Sequence, residues 1–89
     1  NILFIPNVLT PNNDGFNDTW FVKNIHLFPK NAVTIVSRWG DVVYSTNNYQ
    51  NNWSGNYGSG LLPSGTYYYI LDLGGSWGVF KGDVTILRE

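Results

Sequence analysis

The sequence predicts an all-β fold, an antiparallel β-sandwich of about seven short strands. Three observations point there. Helix-favouring residues are nearly absent: alanine and glutamate each occur once and methionine never. No stretch sustains the i, i+3, i+4, i+7 apolar stripe of an amphipathic helix. Gly, Asn, Ser and Pro punctuate the chain about every eight to twelve residues, the spacing of short strands and tight turns.

Ile2 to Ile5 is an apolar run ended by Pro6-Asn7, and Thr19 to Lys23 is a second strand candidate. Ala32 to Ser37 is a third, with Val33 and Ile35 inward. Asp41 to Thr46 follows after only Arg38-Trp39-Gly40-Asp41, so these two form a hairpin. Asn47 to Gly60 is loop-like, rich in Asn, Gly and Ser. Thr66 to Leu73 places Tyr67, Tyr69, Leu71 and Leu73 on one face. Gly74-Gly75-Ser76 is a turn. Gly78 to Leu87 turns Phe80, Val84 and Ile86 inward and Lys81, Asp83 and Thr85 outward. No crossover helix is available, so antiparallel pairing is expected throughout. Leu62 to Tyr69 matches the tyrosine corner of immunoglobulin-like sandwiches. Tyr67 is expected to bury its ring and send its hydroxyl to a nearby backbone group, with Tyr69 on the same inner face.

The 89 residues make one domain, residues 1–89. Aromatics reach 17%, so Trp, Tyr and Phe can supply the core of a short chain. The absence of cysteine excludes disulfides, thiolate metal sites and a Cys nucleophile. Net charge is -1, and Lys23, Lys30, Arg38, Lys81 and Arg88 are scattered, which argues against nucleic acid. No run approaches the ~20 apolar residues of a membrane span, so no insertion is expected. The N-terminal residues do not read as a signal peptide, so if the protein is exported the leader is expected to lie elsewhere and this chain to be a piece of something longer. The Asn-x-Ser/Thr sequons at Asn17 and Asn52 read as chance in an Asn-rich chain.

Catalysis is not expected. The lone histidine, His26, supports no Ser-His-Asp order, and the carboxylates lie mostly at turns or on outward faces. Thr10 to Asp18 packs short oxygen-bearing side chains around Gly15, as calcium loops do. Asn12, Asp14 and Asp18 are the oxygens a calcium ion would use, but Phe21 stands where an EF-hand needs its bidentate Glu. Turns held by Asn and Asp side chains explain the composition without a metal, so no cofactor is expected. Tyr49, Trp53 and Tyr57 read either as a sugar-stacking platform or as rings capping the sandwich. Arg38-Trp39-Gly40 allows guanidinium-on-indole stacking, and Trp39, like Trp53, Tyr67 and Tyr69, reads as structural.

Several motifs stand in fixed order: Ile5-Pro6-Asn7-Val8-Leu9-Thr10-Pro11-Asn12-Asn13-Asp14-Gly15-Phe16-Asn17-Asp18, Arg38-Trp39-Gly40, Tyr49 with Asn52-Trp53-Ser54-Gly55, Leu62-Pro63-Ser64-Gly65-Thr66-Tyr67-Tyr68-Tyr69, and Lys81-Gly82-Asp83-Val84-Thr85-Ile86. This resembles the gliding motility-associated C-terminal domain, the type B C-terminal domain of type IX secretion substrates in Bacteroidota-type bacteria. The likeness runs from Ile5 to Arg88. Ser54 stands where the family usually has Asp, and Leu9 where Phe is common. The resemblance implies a non-catalytic, folded sorting signal that carries a large passenger, often an adhesin, through the outer-membrane translocon to the surface or medium. It also implies a dedicated outer-membrane partner protein. The chain's end at Arg88-Glu89 is expected to be a natural C-terminus, and the isolated domain a monomer. Recognition is expected to use Asn12, Asn13, Asp14, Asn17, Asp18, Arg38 and the C-terminal strand, with Lys81 and Asp83 outward on it. A carbohydrate-binding module or a passive surface spacer is the rival reading.

Overall fold

In the computed structural model the described residues are 2–13 and 15–88. Seven strands form: β1 (Val8–Leu9), β2 (Ala32–Val36), β3 (Val42–Asn47), β4 (Asn56–Tyr57), β5 (Gly60–Leu61), β6 (Gly65–Asp72) and β7 (Val79–Ile86). Five make one sheet in the order β1-β7-β6-β2-β3, and β4 pairs with β5 alone. A 3-10 turn spans Ile25–Leu27. The fold is all-β and compatible with an immunoglobulin-like sandwich, although most of its second layer is irregular chain.

The four longest strands form where alternation predicts them. Across the sheet, Thr46, Val33, Leu71 and Phe80 make one row, and Tyr44, Ile35, Tyr69 and Gly82 make the next. Val33, Ile35, Leu71, Val84 and Ile86 are fully buried against Trp20, Val22, Tyr49 and Trp53 of the facing layer. Each large aliphatic side chain so buried contributes roughly 1.5–3 kcal/mol.

Three local expectations are corrected. The first concerns Ile2 to Ile5 and Thr19 to Lys23, which form no strands; a single antiparallel bridge, Phe4 to Lys23, joins them. The cause is local chemistry. The Val22 N–H donates to Asn51 Oδ1 at 2.8 Å, and Asn51 Nδ2 donates to the Val22 carbonyl at 3.4 Å. A side-chain amide thus takes the place of a neighbouring strand.

The second is pairing. β1 runs parallel to β7, with Val8 beside Thr85 and Leu9 beside Ile86. No crossover helix is needed, because β1 and β7 lie at opposite ends of the sequence and the rest of the domain makes the connection. Pro6, which has no N–H, stands just before the Asn7 carbonyl that accepts from the Thr85 N–H of β7. The third is the Asn47 to Gly60 stretch, which carries the short β4 and leads through Gly58 into β5.

Gly82 is demanded by packing. A Cβ there would lie 2.6 Å from the Tyr69 hydroxyl and 2.8 Å from its ring. The bare backbone lets Tyr69 cross to Trp20, where the ring centroids are 5.2 Å apart. Gly82→Ala is expected to destabilise the domain by about 1–3 kcal/mol through overpacking, read as a lower urea midpoint at unchanged slope. An unchanged midpoint would mean that the Tyr69 ring has an alternative seat.

Candidate functional site

The Asn12 to Asp18 segment is organised by one carboxylate. Asp18 Oδ1 accepts from the backbone N–H groups of Asn12 (3.2 Å) and Asn13 (2.8 Å), and Oδ2 accepts from that of Gly15 (2.8 Å). Asn13, Gly15 and Asn17 adopt positive φ, a conformation these residue types tolerate best. The loop's mouth is tied by Thr10 N–H donating to the Asn17 carbonyl at 2.8 Å. Asp14, expected both in recognition and as a calcium ligand, lies outside the described residues. Among the described residues no group of three or more His, Cys, Asp or Glu could hold a metal ion. Asp18→Ala is expected to free three donors and cost about 1–3 kcal/mol, with protease cleavage appearing within residues 12–18. Wild-type protease resistance in that variant would remove Asp18 as the organiser.

This loop borders a cleft of about 540 Å³, whose other wall holds Phe4, Phe21 and Lys23. Phe16 nearby in sequence is 75% exposed.

Lys81 and Asp83 stand on the exposed face of β7, opposite Ile70 and Tyr68 of β6. β7 is an edge only in part. β6 flanks its whole length, whereas β1 covers only Thr85 and Ile86, leaving Val79 to Asp83 open.

Arg38 is elsewhere, at the tip of the β2–β3 hairpin. Ser37 Oγ accepts from the N–H groups of Trp39 (3.2 Å) and Asp41 (3.3 Å), and Gly40 makes the turn at φ 86°. The Arg38 guanidinium carbon lies 5.3 Å from the Trp39 ring centroid. Trp39, read as structural, is 79% exposed and stands on the surface with Arg38 over its ring. The β2–β3 register shifts between Ile35 and Val36 just before this tip, and a cleft of about 640 Å³ lies beside it. Its walls are Arg38, Trp39 and Val42 on the hairpin and Tyr57, Pro63 and Thr66 opposite. The two clefts share no lining residue, so the structure does not bring Arg38 together with the Asn17 and Asp18 loop.

The far wall of the Arg38 cleft is tied by hydrogen bonds. Tyr67 donates its hydroxyl to the Pro63 carbonyl at 2.8 Å. Arg88 Nε donates to the Leu62 carbonyl at 2.6 Å and Nη2 to the Gly55 carbonyl at 2.8 Å, while the Arg88 N–H donates to Ser64 Oγ at 2.8 Å. Burial raises the Tyr67 phenol above its usual value, with Arg88 opposing. Sequence reasoning missed Arg88. A lone cation two residues past a strand carries no signal of the carbonyls it will meet.

The sugar-platform reading fails for two of its three rings. Tyr49 and Trp53 are 2% and 1% exposed; only Tyr57 is open, at 59%. The Tyr49 hydroxyl donates to the Trp20 carbonyl at 2.6 Å and accepts from the Trp53 N–H at 3.1 Å, so both rings serve the core.

The family model described as the CHU_C type IX secretion signal domain matches residues 3–86. No curated protein and no solved structure matches the chain.

Proposed function

We infer function from the premise that this chain belongs to the type IX secretion signal domain family. A domain of that family marks a protein for export to the cell surface or the medium and engages the type IX secretion system. The finer reading is ours. The chain is a non-catalytic C-terminal address, read in its folded form by the outer-membrane translocon and a dedicated outer-membrane partner protein. Its passenger is a large surface protein of the gliding-adhesin kind. The family match, which spans nearly the whole chain, carries this reading.

The fold supports a signal read as a surface. The aromatic residues that could have served as an exposed sugar platform are largely in the core, while the conspicuous loop and the Arg38 hairpin stand outside it. A folded signal presents loops, clefts and sheet edges to its receptor.

Deleting the domain from the passenger that carries it tests the reading. A periplasmic passenger after deletion is the expected result. Undiminished export would leave a passive spacer as the better description.

A further inference from the structure

The direction of every backbone group in the main sheet follows from one bond. The Asn48 N–H donates to the Asn31 carbonyl at 2.7 Å, extending the β2–β3 ladder by one pair. In an antiparallel ladder, bonded pairs alternate with unbonded ones. Val33 and Ile35 therefore point their N–H and C=O groups at β3, and Ala32, Thr34 and Val36 point theirs at β6. On β6 the groups facing β2 belong to Asp72, Ile70, Tyr68 and, two residues earlier, Thr66. Those facing β7 belong to Leu71, Tyr69, Tyr67 and Gly65. On β7 this leaves Thr85 to face away from β6, and its N–H donates to the Asn7 carbonyl at 2.9 Å.

Thr66 has thus been deserted by its neighbour. The β2–β6 ladder ends at the Val36–Tyr68 pair. Beyond it, the Ser37 N–H turns to the Asp41 carbonyl of its own hairpin at 2.8 Å. The N–H and C=O of Thr66 face the 640 Å³ cleft with no backbone partner among the described residues. The same cleft is flanked by Trp39 and Tyr57, 79% and 59% exposed. Among the described residues the Arg38 guanidinium makes no hydrogen bond or ion pair; it lies over the Trp39 ring. Trp, Tyr and Arg are the side chains that dominate binding at protein interfaces.

We propose that this cleft is a strand-addition site that receives an extended polypeptide segment of the outer-membrane secretion machinery. The segment pairs its backbone with Thr66 in the position β2 vacates. It lays an apolar side chain between Trp39 and Tyr57 and offers a carboxylate to Arg38, whose planar fork matches that group. The cleft thereby reads backbone, shape and charge together. The inference rests on the secretion-signal reading and names the surface that reading uses.

The test fuses a fluorescent passenger to residues 1–89 in a host with a working type IX translocon and the cognate partner protein. The triple variant Arg38→Glu, Trp39→Ala, Tyr57→Ala is expected to lower surface or medium fluorescence at least tenfold while its melting temperature stays near wild type. Leu27→Ala, an exposed change outside both clefts, should export normally. Full export of the triple variant overturns the proposal; failure of the wild-type fusion sinks the signal reading itself. Thr66→Pro removes the N–H aimed into the cleft, at the cost of fixing φ in β6, and should also lose export. A folded Thr66→Pro that exports fully overturns strand addition. If that variant melts more than about 5 °C lower, a photo-crosslinking phenylalanine analogue at position 57 decides instead. Crosslinks confined to one short segment of a translocon protein support the proposal, whereas crosslinks to polysaccharide, or none, overturn it.

Discussion

Trp20→Ala is expected to destabilise the domain by about 3–5 kcal/mol, the usual result of removing a fully buried large aromatic. Trp20 is 0% exposed and meets Tyr49 and Tyr69 with ring centroids 5.6 and 5.2 Å away. Its indole Nε1 donates to the Pro6 carbonyl at 2.9 Å, and its backbone N–H donates to the Trp53 carbonyl at 2.8 Å. The side chain therefore joins the N-terminal segment to the Tyr49–Trp53 loop. A domain of this size has a total stability of roughly 4–13 kcal/mol, so the variant retains little folded protein in mild denaturant. Urea unfolding followed by far-ultraviolet circular dichroism measures the loss. A change below about 1 kcal/mol would mean that the aromatic cluster is not the centre of the core.

Tyr49→Phe is the second large effect. It keeps the ring and removes one oxygen, leaving the Trp20 carbonyl and the Trp53 N–H without that partner. Each orphaned group costs about 1–3 kcal/mol, so a loss of about 2–6 kcal/mol is expected. The same hydroxyl gives the domain an alkaline limit. Burial, opposed by the hydrogen bond from Trp53 and assisted by Tyr44, pushes the Tyr49 phenol far above its ordinary value. In the unfolded chain a tyrosine ionises near pH 10. Above that pH the unfolded state has lost a proton that the folded state keeps, so stability falls as pH rises. The contribution is fully present below about pH 10, and Tyr49 adds a slope of about 1.4 kcal/mol per pH unit above it. Burial raises the Tyr44, Tyr67 and Tyr69 phenols in the same direction. Wild-type stability should therefore be flat from neutrality to about pH 10 and drop beyond it, with a shallower drop in Tyr49→Phe. Parallel slopes in the two proteins would mean that Tyr49 ionises in the folded state as it does in the unfolded one.

Much of the fold was legible because β alternation is a local signal. β2, β3, β6 and β7 carry a period of two, and their inward residues could be named directly. What stayed hidden depends on partners distant in sequence. Asn51 disguises itself as loop composition, yet its amide does the work of a strand for Val22, 29 residues away. Asn31, 1% exposed, holds Phe28 through its Nδ2 and Tyr49 through its Oδ1, contacts that a polar residue before a strand does not announce. β1 has only two residues, and its place beside β7 is fixed by the far end of the chain.

The candidate site was half legible. Glycine and asparagine identified the Asn12 to Asp18 turns, because residues tolerant of positive φ advertise turns. Arg38 was singled out, but the other side of the cleft beside it is made by Tyr57, Pro63 and Thr66, residues distant in sequence. Tyr49 and Trp53 could be read as a sugar platform or as capping rings because their segment is polar; in the fold they pack on Trp20 and Tyr44.

The central claim is that this folded domain is an address for the type IX translocon. It is tested most directly by a fluorescent passenger carrying residues 1–89, compared between a host with a working translocon and its cognate partner protein and a host lacking the translocon. Fluorescence at the surface or in the medium of the first host alone is the predicted result. Periplasmic retention in both hosts would contradict the claim.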